Sequence, residues 1–347
     1  MKNDEQEENV DAALEKAWGT RALAFEQLKG GRNSRVFRVR CADGRTVAAK
    51  AYFRSANDRR DRMGCEFRAL QLLRKEGLRN VAEPLIADAE RHVAIYSFIE
   101  GAQASSTAIS QDDISQVLDF LRTLKRIAAS GRAEDFPPAS EACFSIEALF
   151  ENLNGRITAL RRAAADKPSL ARFLEDELLP FRKTAEEWSR AFCDERGVDP
   201  AVEISQDART LSPSDFGFHN ALRRPGGDLA FLDFEYFGWD DPAKTICDFL
   251  LHPGMDLSAG VKQSFFSGGL AVFSETPKIE ARVDAVYPLF ALKWTMILLN
   301  EFTLDHGARR SFAVGASGVW SQTAQLEKAR RLLGQAMDES RNFPGHN

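Results

Sequence analysis

The chain has 347 residues, of which 44% are hydrophobic and 28% are charged, and its net charge is −5. These values indicate a globular protein of two domains, or of one domain with a large insertion, and they lack the basic surplus typical of nucleic-acid binding. Five scattered cysteines without a Cys-x-x-Cys pair, and histidines without metal-ligand spacing, argue against disulfides and zinc and favour a cytoplasmic protein. No apolar leader precedes the first elements, and the most apolar long stretch, from Tyr287, carries Lys293, which predicts a buried helix and no membrane span.

The first hundred residues predict a small α+β lobe. Residues 1 to about 9 are acidic and polar, and we expect them to be disordered. FEQLKGGRNSRVFRVRCADGRTVAAKAYF predicts strands, because RVFRVRC and TVAAKAY alternate apolar and polar residues around an ADG turn. The mixed cluster RSANDRRDR predicts a solvated helix start. The helix then runs to Gly77, and RHVAIYSFIEG predicts a further strand, giving the order strand, strand, helix, strand.

Helices dominate the rest of the chain. SQDDISQVLDFLRTLKRIAAS begins with a capping pattern at Ser110 and carries apolar residues at helical spacing. SIEALFENLNGRITALRRAA predicts another helix, and SLARFLEDELLPFRKTAEEWSRAFC predicts one that is kinked at Pro180. Two more helices close the chain, with Trp239 and Trp294 favoured as core residues over substrate platforms. SPSDFGFHN falls on a loop followed by a short hairpin.

The transfer of a γ-phosphoryl group requires four elements, and the chain carries candidate residues for each of them in one order along the sequence. The phosphates need a cradle, a cation must hold their oxygens, Mg²⁺ needs oxygen ligands, and the acceptor hydroxyl needs an oriented carboxylate. Gly30 and Gly31 stand between two predicted strands, where small residues let backbone N–H groups approach phosphates. An ordinary Gly-Gly hairpin is the alternative.

Lys50 and Glu66 are the candidate cation and its partner. Lys50 lies in the apolar strand VAAKAY, and an ammonium removed from water needs a counter-charge. Glu66, in the following helix, is placed to supply it, so we predict an ion pair that holds the ammonium over the phosphates. In the alternative, Lys50 extends to the strand edge and Glu66 is solvated.

The loop SDFGFHN and the strand LAFLD supply the remaining groups. The spacing lets Asp215 face the acceptor while the amide oxygen of Asn220 reaches a metal ion. Asp233 ends an apolar run, where a strand tip presents it to the same cation, and two such oxygen ligands suit Mg²⁺. Glu235 is a candidate for a second cation, or else a partly exposed strand-end carboxylate.

These motifs resemble those of the aminoglycoside phosphotransferase and choline-kinase-like family. The resemblance covers roughly residues 25 to 300 and implies a bilobal, protein-kinase-like α+β fold. We divide the chain into an acidic tail and helix at 1–24, a nucleotide-binding N-lobe with an antiparallel sheet and one helix at 25–101, and a helical C-lobe with the catalytic loops and acceptor pocket at 102–347. The resemblance also implies ATP and Mg²⁺ as cofactors.

The resemblance also implies roles for single residues. Asp215 is implied as the catalytic aspartate, and Asn220 and Asp233 as the magnesium ligands. Lys50 is implied as the phosphate-binding lysine with Glu66 as its helix partner. YSFIEG is implied as the hinge that binds adenine through backbone groups of Ser97, Phe98 and Ile99. In GWDDPAKTICDF, Asp241, Pro242 and Asp248 are implied to be structural.

One position departs from the family pattern. Most members carry a loop-bracing histidine two residues before the catalytic aspartate, where this chain has Pro213. Ser212 and His219 are the candidates for a substitute hydrogen bond. The departure leaves open a non-catalytic nucleotide-binding module as an alternative function.

The acceptor is expected to be a small molecule with a hydroxyl group. A helical pattern resumes soon after Asp233, which leaves no long activation segment for a peptide substrate, so a protein kinase of unusual build is a less favoured alternative. The stretch from Tyr287 to Trp320, taken as a pocket wall, carries a small positive surplus that includes Lys293. That surplus favours a sugar or sugar-derived acceptor over an aminoglycoside. Use of ATP or GTP, and a choline-type acceptor, stay open.

Overall fold

The structure is a computed structural model that describes residues 4–28, 34–53, 60–104, 109–303 and 322–341. These residues form two compact units. The described parts of Met1–Ala104 and Asn220–Phe237 make up the first unit. The described parts of Ser105–His219, Gly238–Leu304 and Trp320–Asn347 make up the second.

The strands and helices are numbered in chain order. The strands are β1 (Ala22–Leu28), β2 (Ser34–Cys41), β3 (Thr46–Tyr52), β4 (Pro84–Asp88), β5 (Val93–Ser97), β6 (Ala102–Gln103), β7 (Thr210–Ser212), β8 (Ala221–Arg223), β9 (Leu229–Phe231) and β10 (Gly238–Asp240). The helices are α1 (Asp4–Trp18), α2 (Arg62–Lys75), α3 (Gln111–Ala129), α4 (Ile146–Ala163), α5 (Pro168–Phe173), α6 (Leu179–Arg196), α7 (Pro242–Leu251), α8 (Ala259–Val272), α9 (Ile279–Leu298) and α10 (Gln322–Arg341).

The first unit is built on an antiparallel five-stranded sheet with the order β1-β2-β3-β5-β4. The ADG segment turns β2 into β3, with Gly44 at a φ of 87° that glycine adopts without strain. Helix α2 ends at Lys75, two residues before the predicted stop at Gly77, which has a φ of 91°. Strand β4, which begins at a proline, was missing from the predicted order. The short strands β6, β8 and β9 form a second sheet in this unit.

The expectation of disorder up to about residue 9 is wrong from Asp4 onward, where α1 begins. Val10, Ala13 and Leu14 lie on one face of α1 and are buried in the same cluster as Phe37 and Val39 of β2. The segment looks unstructured by composition because only this narrow face is apolar. Burial of that face against the sheet stabilises a helix that its charged residues alone would not.

The second unit is mainly helical, as predicted. Helix α3 begins with a capping box, in which Ser110 and Asp113 accept hydrogen bonds from each other's backbone N–H groups. Its predicted apolar face is buried throughout: Ile114, Val117, Leu118, Leu121, Leu124 and Ile127. The kink predicted at Pro180 takes the form of a π-helical stretch, Leu174–Leu178, between α5 and α6. Pro180 lies in the first turn of α6, and its ring has no N–H to donate back to the π-helical stretch.

Helix α9 lies at the centre of this unit and packs against α4, α6, α7 and α10. The predicted buried helix from Tyr287 is confirmed, and Lys293 is itself buried. Among the described residues, no helix combines the length and the apolar character needed to cross a membrane. Trp239 and Trp294 are both buried, as predicted for core residues.

Candidate active site

Lys50 is the centre of a buried charge cluster in the first unit. It lies on β3 between Ala49 and Ala51, which are fully buried. Its Nζ lies 2.7 Å from Glu66 Oε2, 2.7 Å from Asp233 Oδ1 and 3.6 Å from Glu235 Oε2. The ion pair predicted between Lys50 and Glu66 is therefore present. We call these four residues the lysine cluster.

The electrostatics of Lys50 follow from these contacts. Burial alone lowers the pKa of an ammonium, but the three carboxylates outweigh it and hold the pKa of Lys50 well above its usual value. The lysine is thus a fixed cation at any physiological pH. A permanent cation of this kind suits the binding of phosphate oxygens.

Glu66 is held by more than its lysine. The Tyr52 hydroxyl donates to Glu66 Oε2 at 2.7 Å, and Tyr52 in turn shares a 2.7 Å hydrogen bond with Tyr96. The backbone N–H of Phe234 donates to Glu66 Oε1 at 3.3 Å. Both carboxylate oxygens are engaged, so α2, β3 and the segment after β9 are tied together at one side chain. Neither tyrosine was singled out from the sequence.

Asn220 and Asp233 lie at the same end of the β8–β9 hairpin. Ala221 pairs with Phe231, and just beyond this pair the backbone N–H of Leu232 donates to the Asn220 carbonyl at 2.9 Å. Asp233 follows with a φ of 68°, in the left-handed region that costs a non-glycine residue free energy. The two predicted magnesium ligands are thus brought together by backbone pairing.

Glu235 is buried, so the alternative of a partly exposed strand-end carboxylate is wrong. It is 2% exposed, and Arg62 donates to its Oε1 at 3.1 Å. The prediction of a solvated helix start is therefore wrong for Arg62, which is also buried and lies 4.7 Å over the Tyr236 ring. Burial and the neighbouring Asp233 raise the pKa of Glu235.

The lysine cluster has the donor chemistry that Mg²⁺ requires. Carboxylate oxygens of Glu66, Asp233 and Glu235 lie within 4.8 Å of one another. Glu66 and Glu235 are buried and engaged with Tyr52 and Arg62, whereas the Asp233 side chain is 31% exposed. Of the three carboxylates, Asp233 is therefore the one that fits a hydrated Mg²⁺, and Asn220 lies at the same end of the hairpin.

Two predicted nucleotide-binding segments have different outcomes. Gly30 and Gly31 lie outside the described residues. Ser97 ends β5, and its N–H donates to the Glu83 carbonyl at 2.8 Å while its Oγ accepts from the Glu83 N–H at 2.8 Å. The N–H and the Oγ of Ser97 are thus used within the sheet edge. Phe98 and Ile99 follow outside any helix or strand and are half-buried, and Arg38 lies 4.7 Å over the Phe98 ring.

The loop that carries Asp215 belongs to the second unit and is held by its own hydrogen bonds. Ser214 has a φ of 68°, and its N–H donates to Ser212 Oγ at 3.0 Å. Ser214 Oγ donates to the Ser140 carbonyl at 2.9 Å and accepts from Lys244 Nζ at 3.1 Å. Ser212 therefore braces the loop that follows Pro213, as one of the two predicted substitutes.

Two histidines contact the Asp215 carboxylate. Nε2 of His219 lies 2.9 Å from Oδ1, and Nε2 of His252 lies 3.1 Å from the same oxygen. Burial would raise the pKa of Asp215, but the hydrogen bonds from the two imidazoles outweigh it and hold that pKa well below its usual value. Asp215 is thus ionised, and both imidazoles donate to it. The bracing predicted for His219 is confirmed, whereas His252 was not singled out.

The residues implied to be structural behave as such. Asp241 accepts from the Ala243 N–H at the start of α7 and binds the Arg282 guanidinium at 2.7 Å. Asp248 accepts from Trp294 Nε1 at 2.9 Å and pairs with Lys244 at 2.8 Å. These contacts fix α7 against α9.

Solved structures with the same fold cover almost the entire chain. LicA in complex with AMP is 16% identical, with a TM-score of 0.60 over 95% of this chain and 98% of that one. The spectinomycin phosphotransferase APH(9)-Ia, in complex with ADP and spectinomycin, is 12% identical, with a TM-score of 0.60 over 95% and 97%. A choline/ethanolamine kinase family protein from Mesorhizobium loti is 17% identical, with a TM-score of 0.55 over 97% and 95%.

The fold class expected from the sequence is therefore confirmed as the protein-kinase-like fold that aminoglycoside phosphotransferases and choline kinases share. A search of curated proteins found no match. The model of the phosphotransferase enzyme family matches residues 24–273, and the chain therefore belongs to that family.

Proposed function

We propose that the protein transfers the γ-phosphoryl group of ATP to a hydroxyl group of a small metabolite. The observation that carries the proposal is the lysine cluster, in which Lys50 on an apolar strand contacts both Glu66 and Asp233 at 2.7 Å. A buried lysine fixed by a helix glutamate, beside an aspartate able to bind a metal ion, is the arrangement by which kinases of this fold hold nucleotide phosphates.

Each residue of the cluster has a part in this proposal. Lys50 binds the phosphate oxygens, and Glu66 fixes its position. Asn220 and Asp233 would hold Mg²⁺, which would supply positive charge to neutralise the phosphates. Asp233 is engaged by Lys50 in this structure, so the lysine exchanges this contact for the phosphates when nucleotide binds. Backbone groups of Ser97, Phe98 and Ile99 receive the adenine, and Gly30 and Gly31 cover the phosphates.

Asp215 orients the acceptor hydroxyl and receives its proton. Its lowered pKa makes it a weak base. A weak base suits a transition state in which the bond between the γ-phosphoryl group and ADP is largely broken before the acceptor attacks. Orientation of the hydroxyl is then the main contribution of the carboxylate.

Several observations support a small acceptor. The structural neighbours include one complex with spectinomycin and one choline/ethanolamine kinase family protein. Helix α7 already begins at Pro242, so little chain separates Asp233 from it in which a peptide platform could form. The nucleotide assignment is supported by the neighbours in complex with AMP and ADP.

Within small acceptors we keep a sugar or sugar-derived compound as the first class to test. The charge argument drawn from the stretch after Tyr287 is weakened, because Lys293 is buried and contacts Glu141. Of its remaining charges, Glu301 lies among the described residues, and those at 305, 309 and 310 lie outside them. Aminoglycosides and amino alcohols such as choline therefore belong in the same panel.

The test is an ADP-release assay with Mg²⁺ and ATP across sugars, amino alcohols, aminoglycosides and a casein-like protein, with nucleotide binding measured by calorimetry. We expect transfer to one small-molecule class and none to the protein. Nucleotide binding without transfer to any acceptor would favour the non-catalytic module instead. Phosphorylation of the casein-like protein would favour a protein kinase of unusual build.

A further inference from the structure

His252 lies against the Asp215 carboxylate, although it belongs to a different element of the second unit. It directly follows α7, in which every residue is buried, and it is itself 4% exposed. Its Nε2 lies 3.1 Å from Asp215 Oδ1. The imidazole therefore contacts the loop that carries Asp215 from the end of a helix that is fixed in the core.

The protonation of His252 follows from its other ring nitrogen. The backbone N–H of Gly254 donates to Nδ1 at 3.0 Å, so Nδ1 carries no proton and the neutral imidazole carries its proton on Nε2. This N–H faces Asp215 and donates to it. The same hydrogen bond argues against a metal ion on Asp215, His219 and His252, since a metal-bound Nε2 is unprotonated and its Nδ1 is then a donor.

The ring of His252 is locked on its other sides as well. It stacks on His219 with centroids 3.6 Å apart and planes 5° from parallel, and Trp294 contacts it edge-on at 4.5 Å. Gly254 is needed for the close approach, because a Cβ at that position would lie 2.8 Å from His252 Cε1. Backbone, stacking and aromatic contacts thus fix the direction of the Nε2–H bond toward the Asp215 carboxylate.

We infer that His252 is a positioning residue for Asp215. Its Nε2–H and that of His219 converge on a single carboxylate oxygen, Oδ1, and so fix the rotation of the carboxylate. The inference rests on the proposed function, in which that carboxylate orients the acceptor hydroxyl. A carboxylate that lost one of these two donors would rotate more freely, and misplacement of a reacting group lowers the turnover rate more than it weakens binding.

The first test compares His252→Phe with His252→Gln. Phenylalanine keeps the aromatic contacts to His219 and Trp294 and lacks the donor, whereas the glutamine amide places an N–H at the reach of Nε2. We expect kcat of the phenylalanine variant to fall about 10- to 100-fold with an unchanged KM for ATP, and the glutamine variant to recover most of kcat. If the phenylalanine variant keeps wild-type kcat, or glutamine is the worse replacement, the residue acts by packing and the inference is wrong.

The second test uses Gly254→Ala, which displaces the ring without changing His252. We expect a loss of kcat alone and no additional loss when it is combined with His252→Phe, because both act on one hydrogen bond. Gly260→Ala in α8 is the matched control, since a Cβ there meets nothing within 4 Å. Additive losses of kcat in the double variant would show that the two substitutions act independently, which would contradict the inference.

A measurement without turnover separates this inference from the proposed function. Long-range ¹H–¹⁵N spectra of ¹⁵N-histidine-labelled protein report the tautomer, and we expect His252 to carry its proton on Nε2 in the wild type. A proton on Nδ1 would overturn the inference whatever the activity. If the Nε2–H tautomer is present but no acceptor is phosphorylated, the proposed function is refuted. The contact between His252 and Asp215 then has no catalytic role.

Discussion

Lys50 and Asp233 are separated by 183 positions in the sequence, and Nζ of the lysine donates a 2.7 Å hydrogen bond to Oδ1 of the aspartate. Glu66 binds the same ammonium at the same distance. The lysine thus has one partner that is buried and fixed, and one that is more exposed and carries a strained backbone. We expect the contact with Glu66 to persist during the proposed reaction and the contact with Asp233 to be exchanged.

Replacement of Lys50 by alanine tests the centre of the lysine cluster. We expect nucleotide binding or turnover to be lost, and the free energy of unfolding to fall by about 3–5 kcal/mol, because buried Glu66 and Glu235 lose a counter-charge. Isothermal calorimetry with ATP and urea unfolding measure the two effects. Lys16→Ala, in the same unit but with a side chain 64% exposed, is the control and should change the unfolding free energy by under about 0.5 kcal/mol.

Glu66→Ala should weaken nucleotide binding less than Lys50→Ala, because the ammonium that binds the phosphates is still present and only its positioning by Glu66 is lost. It should still destabilise the protein, since the Tyr52 hydroxyl and the Phe234 N–H lose their acceptor. Equal ATP affinities of the Glu66→Ala variant and the wild type would show that the ion pair does not position the lysine.

Substitutions of Asp233 and Glu235 should have different effects on the Mg²⁺ dependence of nucleotide binding. We expect Asp233→Ala to abolish the Mg²⁺ dependence of nucleotide binding, measured by calorimetry with and without Mg²⁺. Glu235→Gln should keep that dependence and lower stability, because Arg62 then lacks its buried counter-charge. The double variant Arg62→Met with Glu235→Gln should regain part of the lost stability. Unchanged Mg²⁺ dependence in Asp233→Ala would place the metal ion elsewhere.

Asp215→Asn should lower the transfer rate by orders of magnitude and leave nucleotide affinity largely intact. The asparagine keeps the shape of the side chain but cannot accept the proton of the hydroxyl, a role confined to the transition state. Single-turnover kinetics on the acceptor found in the panel, with ATP affinity from calorimetry, measure both quantities. Turnover near that of the wild type would remove Asp215 from the proposed mechanism.

The elements that could be predicted from the sequence are those specified by local chemistry. Ser110 and Asp113 are three positions apart and cap a helix directly. Lys50 in an apolar strand requires a counter-charge, and the next helix offers Glu66. In both cases the partners are near in sequence, or the cost of leaving a group unpaired identifies the partner's type.

The parts that could not be predicted depend on long-range contacts. Arg62 and Glu235 are 173 positions apart, and each looks like a surface charge until the fold buries both. His252 follows a fully buried helix, and no spacing relates it to Asp215. Burial of α1 depends on the sheet it packs against, and its own composition conceals it.

Asp240 gives the second unit a pH-dependent stability. It is fully buried on β10, with Lys244 Nζ 2.8 Å from its Oδ2. Burial raises the pKa of Asp240 to about 6, since the loss of hydration outweighs the attraction of Lys244, which is shared with Asp248. In the unfolded chain the same carboxyl group titrates near its usual value of about 3.9.

The folded protein therefore binds this proton below about pH 6, whereas the unfolded chain binds it only near pH 4. Between these values the folded state holds more protons, so stability falls as the pH rises from 4 to 6, by up to about 3 kcal/mol. Asp240→Asn keeps the group neutral and removes this contribution. Other carboxylates act in the opposite direction, among them Glu141, whose pKa is lowered to about 2 because Lys293 and Arg156 outweigh its burial. Subtraction of the variant's curve from that of the wild type cancels them.

We therefore expect the unfolding free energy of the wild type minus that of Asp240→Asn, from urea titrations, to decrease between pH 4 and pH 6.5 and to be flat above it. The variant keeps Lys244 paired with Asp248 at 2.8 Å, so its fold has no unpaired buried ammonium. A difference that rises with pH over this range would mean that the attraction of Lys244 exceeds the cost of burial and that Asp240 stays ionised in the folded protein.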